Sequence, residues 1–240
     1  MNKQRLFGLT LCEIQALTTE MGMPKFAAKQ ICDWLYKKEV NNIADMTNLS
    51  KASRERLSQH YEVGRSPYVR VAESTDGTKK YLFQAQGGYI ETAYIPDGER
   101  ATLCVSCQVG CKMGCTFCMT FKANLTAGEI LGQMASIPES KHLTNIVYMG
   151  MGEPMDNLSE VLKSIEILTS DWGYAWSPRR ITVSTIGVQP QTEEFLQKCQ
   201  AHLAISLHNA ISPQREAIMP TEKKWPITQT IAKLRQYDWS

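Results

Sequence analysis

The sequence predicts an α/β protein, a partial (β/α) barrel preceded by a small helical domain and a short antiparallel β meander. Three observations predict it. Apolar residues recur at helical spacing between positions 10 and 62, and β-rich runs punctuated by turn pairs fill 68–106. From 119 onward, apolar strands alternate with helical segments at intervals of roughly thirty residues, the rhythm of parallel βαβ units.

Whole-chain properties bound the class. The chain has 240 residues, 43% hydrophobic and 21% charged, an ordinary globular balance with enough apolar residues for a core. No run of eighteen apolar residues occurs, so no membrane-spanning helix is expected. Met1-Asn2-Lys3-Gln4-Arg5 opens a mixed polar stretch without the apolar centre of a signal peptide. Eight cysteines in such a sequence argue for a reducing compartment and for metal or catalytic use, hence a cytoplasmic location. Net charge is only +2, but residues 1–70 hold 11 Lys and Arg against 7 Asp and Glu, a surplus of four. A modestly basic first third suits phosphate contacts, and a solvated helical surface explains it as well.

Taken in order, Thr10 can cap a helix bearing Leu11, Ile14, Leu17 and Met21, ended by Gly22. Pro24 suits the first turn of a second helix, with Phe26, Ile31, Trp34 and Leu35 on one face and Lys25, Lys29, Lys37 and Lys38 outside. Ser50 caps a third. Cys12 and Cys32 read as small buried hydrophobes. Strands follow at 68–71, 80–83, 89–95 and 100–106, separated by Asp76-Gly77, Gly87-Gly88 and Pro96-Asp97-Gly98. Next come a helix near 126–135, a strand at 145–149 and a helix capped by Asn157 or Ser159. A strand at 180–184, a helix near 192–200, a strand at 202–207 and a helix at 227–237 follow. About four βα units are present, fewer than a complete barrel.

The chemistry centres on Cys111-Lys112-Met113-Gly114-Cys115-Thr116-Phe117-Cys118, a C-x3-C-x2-C spacing. Structural zinc takes four protein ligands, and ordinary iron–sulfur clusters take four cysteines. Three cysteines on a cubane leave one iron open to a small molecule. A zinc knuckle is the competing reading, as is a zinc site that recruits the neighbouring Cys104-x2-Cys107 pair. Ligands of parallel α/β folds sit at the carboxyl ends of strands. Those ends carry Met149-Gly150-Met151-Gly152-Glu153-Pro154, Ser184-Thr185-Ile186-Gly187 and Ser206-Leu207-His208-Asn209. Each is weak alone; three in succession after a cysteine loop form a candidate binding site.

The cysteine spacing resembles the radical S-adenosylmethionine (SAM) signature. Together with Glu91-Thr92, Leu103-Cys104-Val105, Gln108-Val109-Gly110-Cys111, Gly150–Pro154 and Ser206-Leu207-His208, the sequence resembles RlmN/Cfr-type radical SAM methyltransferases over essentially its whole length. The resemblance implies a barrel of the radical SAM type and a [4Fe–4S] cluster on Cys111, Cys115 and Cys118. It implies SAM at Phe117, Gly152, Glu153, Ser184, Ser206, Leu207 and His208, with the amino acid end of SAM on the open iron. An electron from the cluster then cleaves SAM to a 5′-deoxyadenosyl radical.

The implied reaction methylates C2 of adenosine in 23S ribosomal RNA, and in certain transfer RNAs, with flavodoxin or ferredoxin as electron donor. An amidine carbon such as C2 is electrophilic, so ordinary methyl transfer to it fails. Family members methylate a cysteine near the C-terminus and abstract hydrogen from that S-methyl group. The resulting carbon radical adds to C2, and a second cysteine helps resolve the RNA–protein crosslink. Cys104 matches that second cysteine, a proton acceptor, and Glu91 matches an active-site acid or base.

Two departures accompany the likeness. The methyl-carrying cysteine, with a further SAM contact, is expected beyond residue 240, so the sequence reads as truncated at its C-terminal end. The segment between Cys118-Met119-Thr120 and Phe121-Lys122-Ala123-Asn124 is about four residues short. The family usually has serine where Cys107 stands, and no role is assigned to that thiol. The expected domains are a helical, RNA-binding module at 1–66, a β-hairpin extension at 67–100 and a partial-barrel core at 101–240. The alternatives are a C8-methylating relative that confers antibiotic resistance and a non-catalytic, metal-binding RNA-binding protein.

Overall fold

The computed structural model describes residues 3–116, 118, 120–237 and 239. In sequence order its elements are β1 (Gln4–Arg5), α1 (Leu11–Glu20), α2 (Ala27–Cys32), α3 (Lys51–His60) and β2 (Tyr61–Glu62). The meander follows as β3 (Tyr68–Glu73), β4 (Lys79–Ala85), β5 (Gly88–Asp97) and β6 (Arg100–Cys104). Then come β7 (Gln108–Val109), β8 (Ala123–Asn124), α4 (Ala127–Ala135), β9 (Asn145–Tyr148), α5 (Leu158–Thr169), β10 (Ile181–Thr185), α6 (Gln191–Lys198), β11 (His202–Ile205), α7 (Ser212–Ile218) and α8 (Ile227–Leu234).

The N-terminal helices form as their caps require. Thr10 Oγ1 accepts the Glu13 N–H at 3.3 Å and Glu13 Oε2 accepts the Thr10 N–H at 2.7 Å, a capping box that contributes about 1 kcal/mol. Ser50 caps α3 through the Ser53 N–H. Helix α2 runs into one π-turn, Asp33–Lys37, which carries Tyr36 into the core. There Tyr36 OH donates to Leu9 O and its ring meets Trp172 at 6.0 Å, linking the helical module to the segment after α5. Two expectations fail in this module. Phe26 is 62% exposed, because it precedes α2 and lies off the buried Ala27–Ala28–Ile31–Cys32 face. Cys12 is exposed, because it lies beside the Ile14–Leu17–Thr18 stripe that α1 buries.

Among the described residues, the main sheet has seven strands in the order β11-β10-β9-β6-β5-β4-β3. Strands β6, β9, β10 and β11 pair in parallel, while β3 to β6 pair antiparallel. The meander and the barrel strands are therefore one continuous sheet. Helices α4, α5 and α6 each intervene between successive parallel strands. Asn157, expected as an α5 cap, makes no capping bond; its amide donates to Cys107 O and Leu125 O. Helix α7 had no counterpart in the periodicity.

The faces of this sheet differ. Tyr81, Ile90, Thr92, Leu103, Ile146, Tyr148, Ile181 and Val183 are buried on one face. Each large apolar group there contributes on the order of 2 kcal/mol by leaving water. The opposite face carries the row Lys80, Ala93, Cys104, Val147, Thr182 and His202, successive cross-strand neighbours in register. None of these is buried. Alternation along these strands marks a sheet covered on one side, with the other side left uncovered.

Candidate active site

Glu91 lies two residues before Ala93 on the open face, toward the carboxyl ends of the parallel strands. Its carboxylate pairs with Lys80 Nζ at 3.0 Å across the β4–β5 ladder. Cys104 ends β6 on the same face, and burial pushes its thiol above the usual range. Ser184 and Ser206 reach the carboxyl ends of β10 and β11 with their hydroxyls 3.0 Å apart. The next residues, Leu207 and His208, are exposed, and His208 holds a left-handed φ of 53°. These six positions lie at the same end of the sheet as the Gly150–Pro154 loop, whose Gly150 N–H donates to Val105 O.

That loop docks on the segment leading to the cysteines. Met151 O accepts N–H bonds from Cys107 at 2.9 Å and Gln108 at 3.1 Å. Gln108, fully buried, accepts the Glu153 N–H at 2.9 Å and donates to Asn124 and Asp156. Asp156 also pairs with Lys112 at 3.0 Å inside the cysteine loop. Glu153 is turned inward: its carboxylate accepts the Met155 and Ile186 N–H groups, each at 3.1 Å, plus the Thr185 hydroxyl. It thus joins the ends of β9 and β10. Burial lifts its pKa from an ordinary 4.5 to about 7, against the pull of those donors.

The sign of that shift gives an expected result. The folded apoprotein keeps a proton that the unfolded state releases above about 4.5, so stability falls as pH rises from there to about 7. The loss is on the order of 3 kcal/mol. Thermal midpoints across this range should decline in the wild type and stay flatter in Glu153→Gln.

The cysteine loop is closed at its base. Strands β7 and β8 pair Gln108 with Asn124 and Val109 with Ala123, and Cys111 bridges Thr120. Gly110 makes this closure possible: at φ +74° a Cβ would sit 2.0 Å from Thr120 O. Gly110→Ala should therefore open the loop and lose most of the iron bound after anaerobic reconstitution, while helical circular dichroism stays near that of the wild type. Within the loop, Cys115 is buried, Cys111 half-buried and Cys118 exposed, and the Cys118 N–H donates to Cys115 O at 3.1 Å. Phe117 lies outside the described residues.

The three thiols suit a cationic centre. Burial pushes Cys111 up to about 11 and also raises Cys115, with the neighbouring thiolates and Glu153 adding to both. Three thiolates on one loop need compensating positive charge. Among the described residues, no three His, Cys, Asp or Glu side chains gather tightly enough for a single metal ion. Three soft donors on one loop match an iron–sulfur cluster that keeps one iron open.

Residues with no sequence signal complete the site. Arg215 on α7, fully buried, donates to Leu207 O at 3.0 Å, Ser206 O at 3.1 Å and Ile186 O at 3.3 Å. It is ion-paired with buried Glu222, so one guanidinium secures the ends of both β10 and β11. Ser106 and Gln133 are likewise buried polar side chains between apolar neighbours.

Comparison with known proteins places the chain in a family. Residues 4–63 match the domain family described as "Ribosomal RNA large subunit methyltransferase N-terminal domain", and residues 105–240 match the "Radical SAM superfamily". A probable dual-specificity RNA methyltransferase RlmN of Bacteroides thetaiotaomicron is 54% identical over 100% of this chain and 71% of its own length. The protein of the same description from Phocaeicola vulgatus is 57% identical over 99% and 70%. The dual-specificity RNA methyltransferase RlmN of Geotalea uraniireducens is 41% identical over 99% and 71%. The crystal structure of a radical SAM methyltransferase from Sphaerobacter thermophilus superposes with a TM-score of 0.87 at 36% identity, covering 95% of this chain and 71% of that one. Among the described residues, no helix is long and apolar enough to cross a membrane. With its radical SAM match spanning more than half its length and two RlmN relatives above half identity, the chain belongs to the RlmN family of radical SAM enzymes, whose cofactors are a [4Fe–4S] cluster and SAM.

Proposed function

We propose that this protein methylates C2 of an adenosine in 23S ribosomal RNA, with transfer RNA as a second substrate. The observation that carries this reading is the shared open face: Glu91 and Cys104 stand on it beside the cysteine loop and the three strand ends. A target base entering from that side meets an acid–base pair and the cofactor site together.

Cys111, Cys115 and Cys118 hold the cluster, and Gly152, Glu153, Ser184, Ser206, Leu207 and His208 hold SAM. With SAM bound, the cluster supplies one-electron radical chemistry that side chains cannot. The protein's own task is position and protons. Glu91, oriented by Lys80, exchanges a proton at the face of the base. Cys104 accepts a proton, and the burial that raises its pKa makes its thiolate a strong base. Residues 1–66 serve as the RNA-binding module, with Lys25, Lys29, Lys37 and Lys38 exposed on it and Lys38 Nζ 3.7 Å from the Trp34 ring centre. Residues 67–100 extend the sheet that residues 101–240 complete as the core.

Mass mapping of methylated adenosine in RNA incubated with the reconstituted full-length protein, SAM and reduced flavodoxin tests this. A new methyl at C2 is expected. A methyl at C8 replaces the proposal with the resistance-enzyme reading, and RNA binding without SAM cleavage replaces it with a non-catalytic one.

A further inference from the structure

Ser106 lies between β6 and β7 and is fully buried. Its hydroxyl donates to Glu91 O at 2.6 Å and accepts the Met151 N–H at 2.9 Å. One oxygen thereby joins β5, at the residue assigned to proton exchange, to the loop bearing Gly152 and Glu153. The backbone of Ser106 is held in turn. Gln133 Oε1 accepts the Ser106 N–H and Gln133 Nε2 donates to Ser106 O, both at 2.8 Å. Gln133 Oε1 also accepts the Thr92 hydroxyl at 2.6 Å. Because Thr92 follows Glu91 in sequence, Glu91, Thr92, Gln133 and Ser106 close a ring, and Thr92, Gln133 and Ser106 are buried.

The fit around the hydroxyl is tight. A Cβ at Gly150 would lie 2.8 Å from Ser106 Oγ and 2.8 Å from Val105 O, so the loop approaches only because residue 150 has no side chain. An alanine at 106 would fit the apolar surroundings but leave the Met151 N–H and Glu91 O without this partner. A fully bonded polar ring in a core instead fixes one relative position of its parts.

We infer that Ser106 is a positioning residue, setting the offset between the Glu91 carboxylate and the SAM loop, with Gln133 and Thr92 holding it in place. This rests on the roles proposed above for Glu91 and Gly152–Glu153. Losing the hydroxyl leaves cluster uptake intact but lets the loop drift relative to Glu91. SAM then binds less tightly, and more of it is cleaved without methyl transfer.

Ser106→Ala and Ser106→Thr in the reconstituted full-length protein test the inference. In Ser106→Ala the Met151 amide should exchange its hydrogen at least about tenfold faster, while the Gly150 amide, bonded to Val105 O, keeps its rate. SAM affinity by equilibrium dialysis should weaken about tenfold, and 5′-deoxyadenosine formed per methyl transferred should rise. Ser106→Thr, which keeps the hydroxyl, should restore all three readouts. Unchanged exchange at Met151 overturns the inference, as does faster exchange throughout the loop with unaltered SAM affinity. If Ser106→Ala does not fold, Thr92→Val loosens Gln133 without removing either Ser106 Oγ bond; it should act in the same direction, and wild-type behaviour there is refuting. A wild-type protein that fails to bind SAM overturns the site assignment itself, a failure told apart because Met151 exchange still reports the ring.

Discussion

Cys118→Ala is expected to yield a folded, colourless protein. Cys118 is exposed, and a small substitution at such a position changes stability by no more than about 0.5 kcal/mol. Yet it removes one of three thiolates from a centre with no fourth cysteine assigned to it, and metal sites lose affinity steeply with each ligand. Methylation should fall by more than the roughly 10²–10⁴-fold that general acid–base groups supply, because the cluster carries chemistry that no side chain replaces. Iron and sulfide analysis, visible absorption and RNA methylation check this against Cys12→Ala. Cys12 is also exposed but sits on α1 outside the loop, so its loss should change none of them. A brown, active Cys118→Ala protein would remove Cys118 from the ligand set.

Arg215→Ala should have the largest effect on stability. The substitution leaves the buried Glu222 carboxylate without its cation, held only by the Ser212 hydroxyl and Ile227 N–H, and frees the carbonyls of Ile186, Ser206 and Leu207 at once. Breaking one side of a buried ion pair costs about 3–5 kcal/mol. In a protein of this length that lowers Tm by roughly 6–20 °C. The control is Arg215→Met with Glu222→Met, since replacing both partners by apolar groups is often tolerated. The double variant should recover much of the Tm without recovering SAM affinity, because methionine returns no donor to the strand ends. Calorimetry and equilibrium dialysis separate the two. Equal recovery of both would make Arg215 a packing residue only.

The sequence disclosed the site better than it disclosed what holds the site together. Cysteine spacing, strand periodicity and turn pairs are local, and each reappears: Thr10 and Ser50 cap their helices, and Glu91, Cys104, Ser184 and Ser206 reach one open face. Phe26 and Cys12 went astray because a helical stripe fixes a face only to within one residue at its ends. Arg215 gave no signal, since an arginine in a polar segment looks solvated until tertiary structure encloses it with Glu222. Ser106 and Gln133 gave none either, because their partners lie up to 45 residues away in sequence.

The one-sided burial of the sheet also bears on how such a protein can change. Substitutions at Leu103, Ile146 or Val183 open cavities at a cost of about 1–5 kcal/mol and are purged for that reason alone. Those at Lys80, Ala93, Val147 or Thr182, one register row on the uncovered side, forfeit little packing. Mutational drift there is nearly free of folding penalties. The uncovered row can therefore change its side chains while the apolar side keeps the sheet folded.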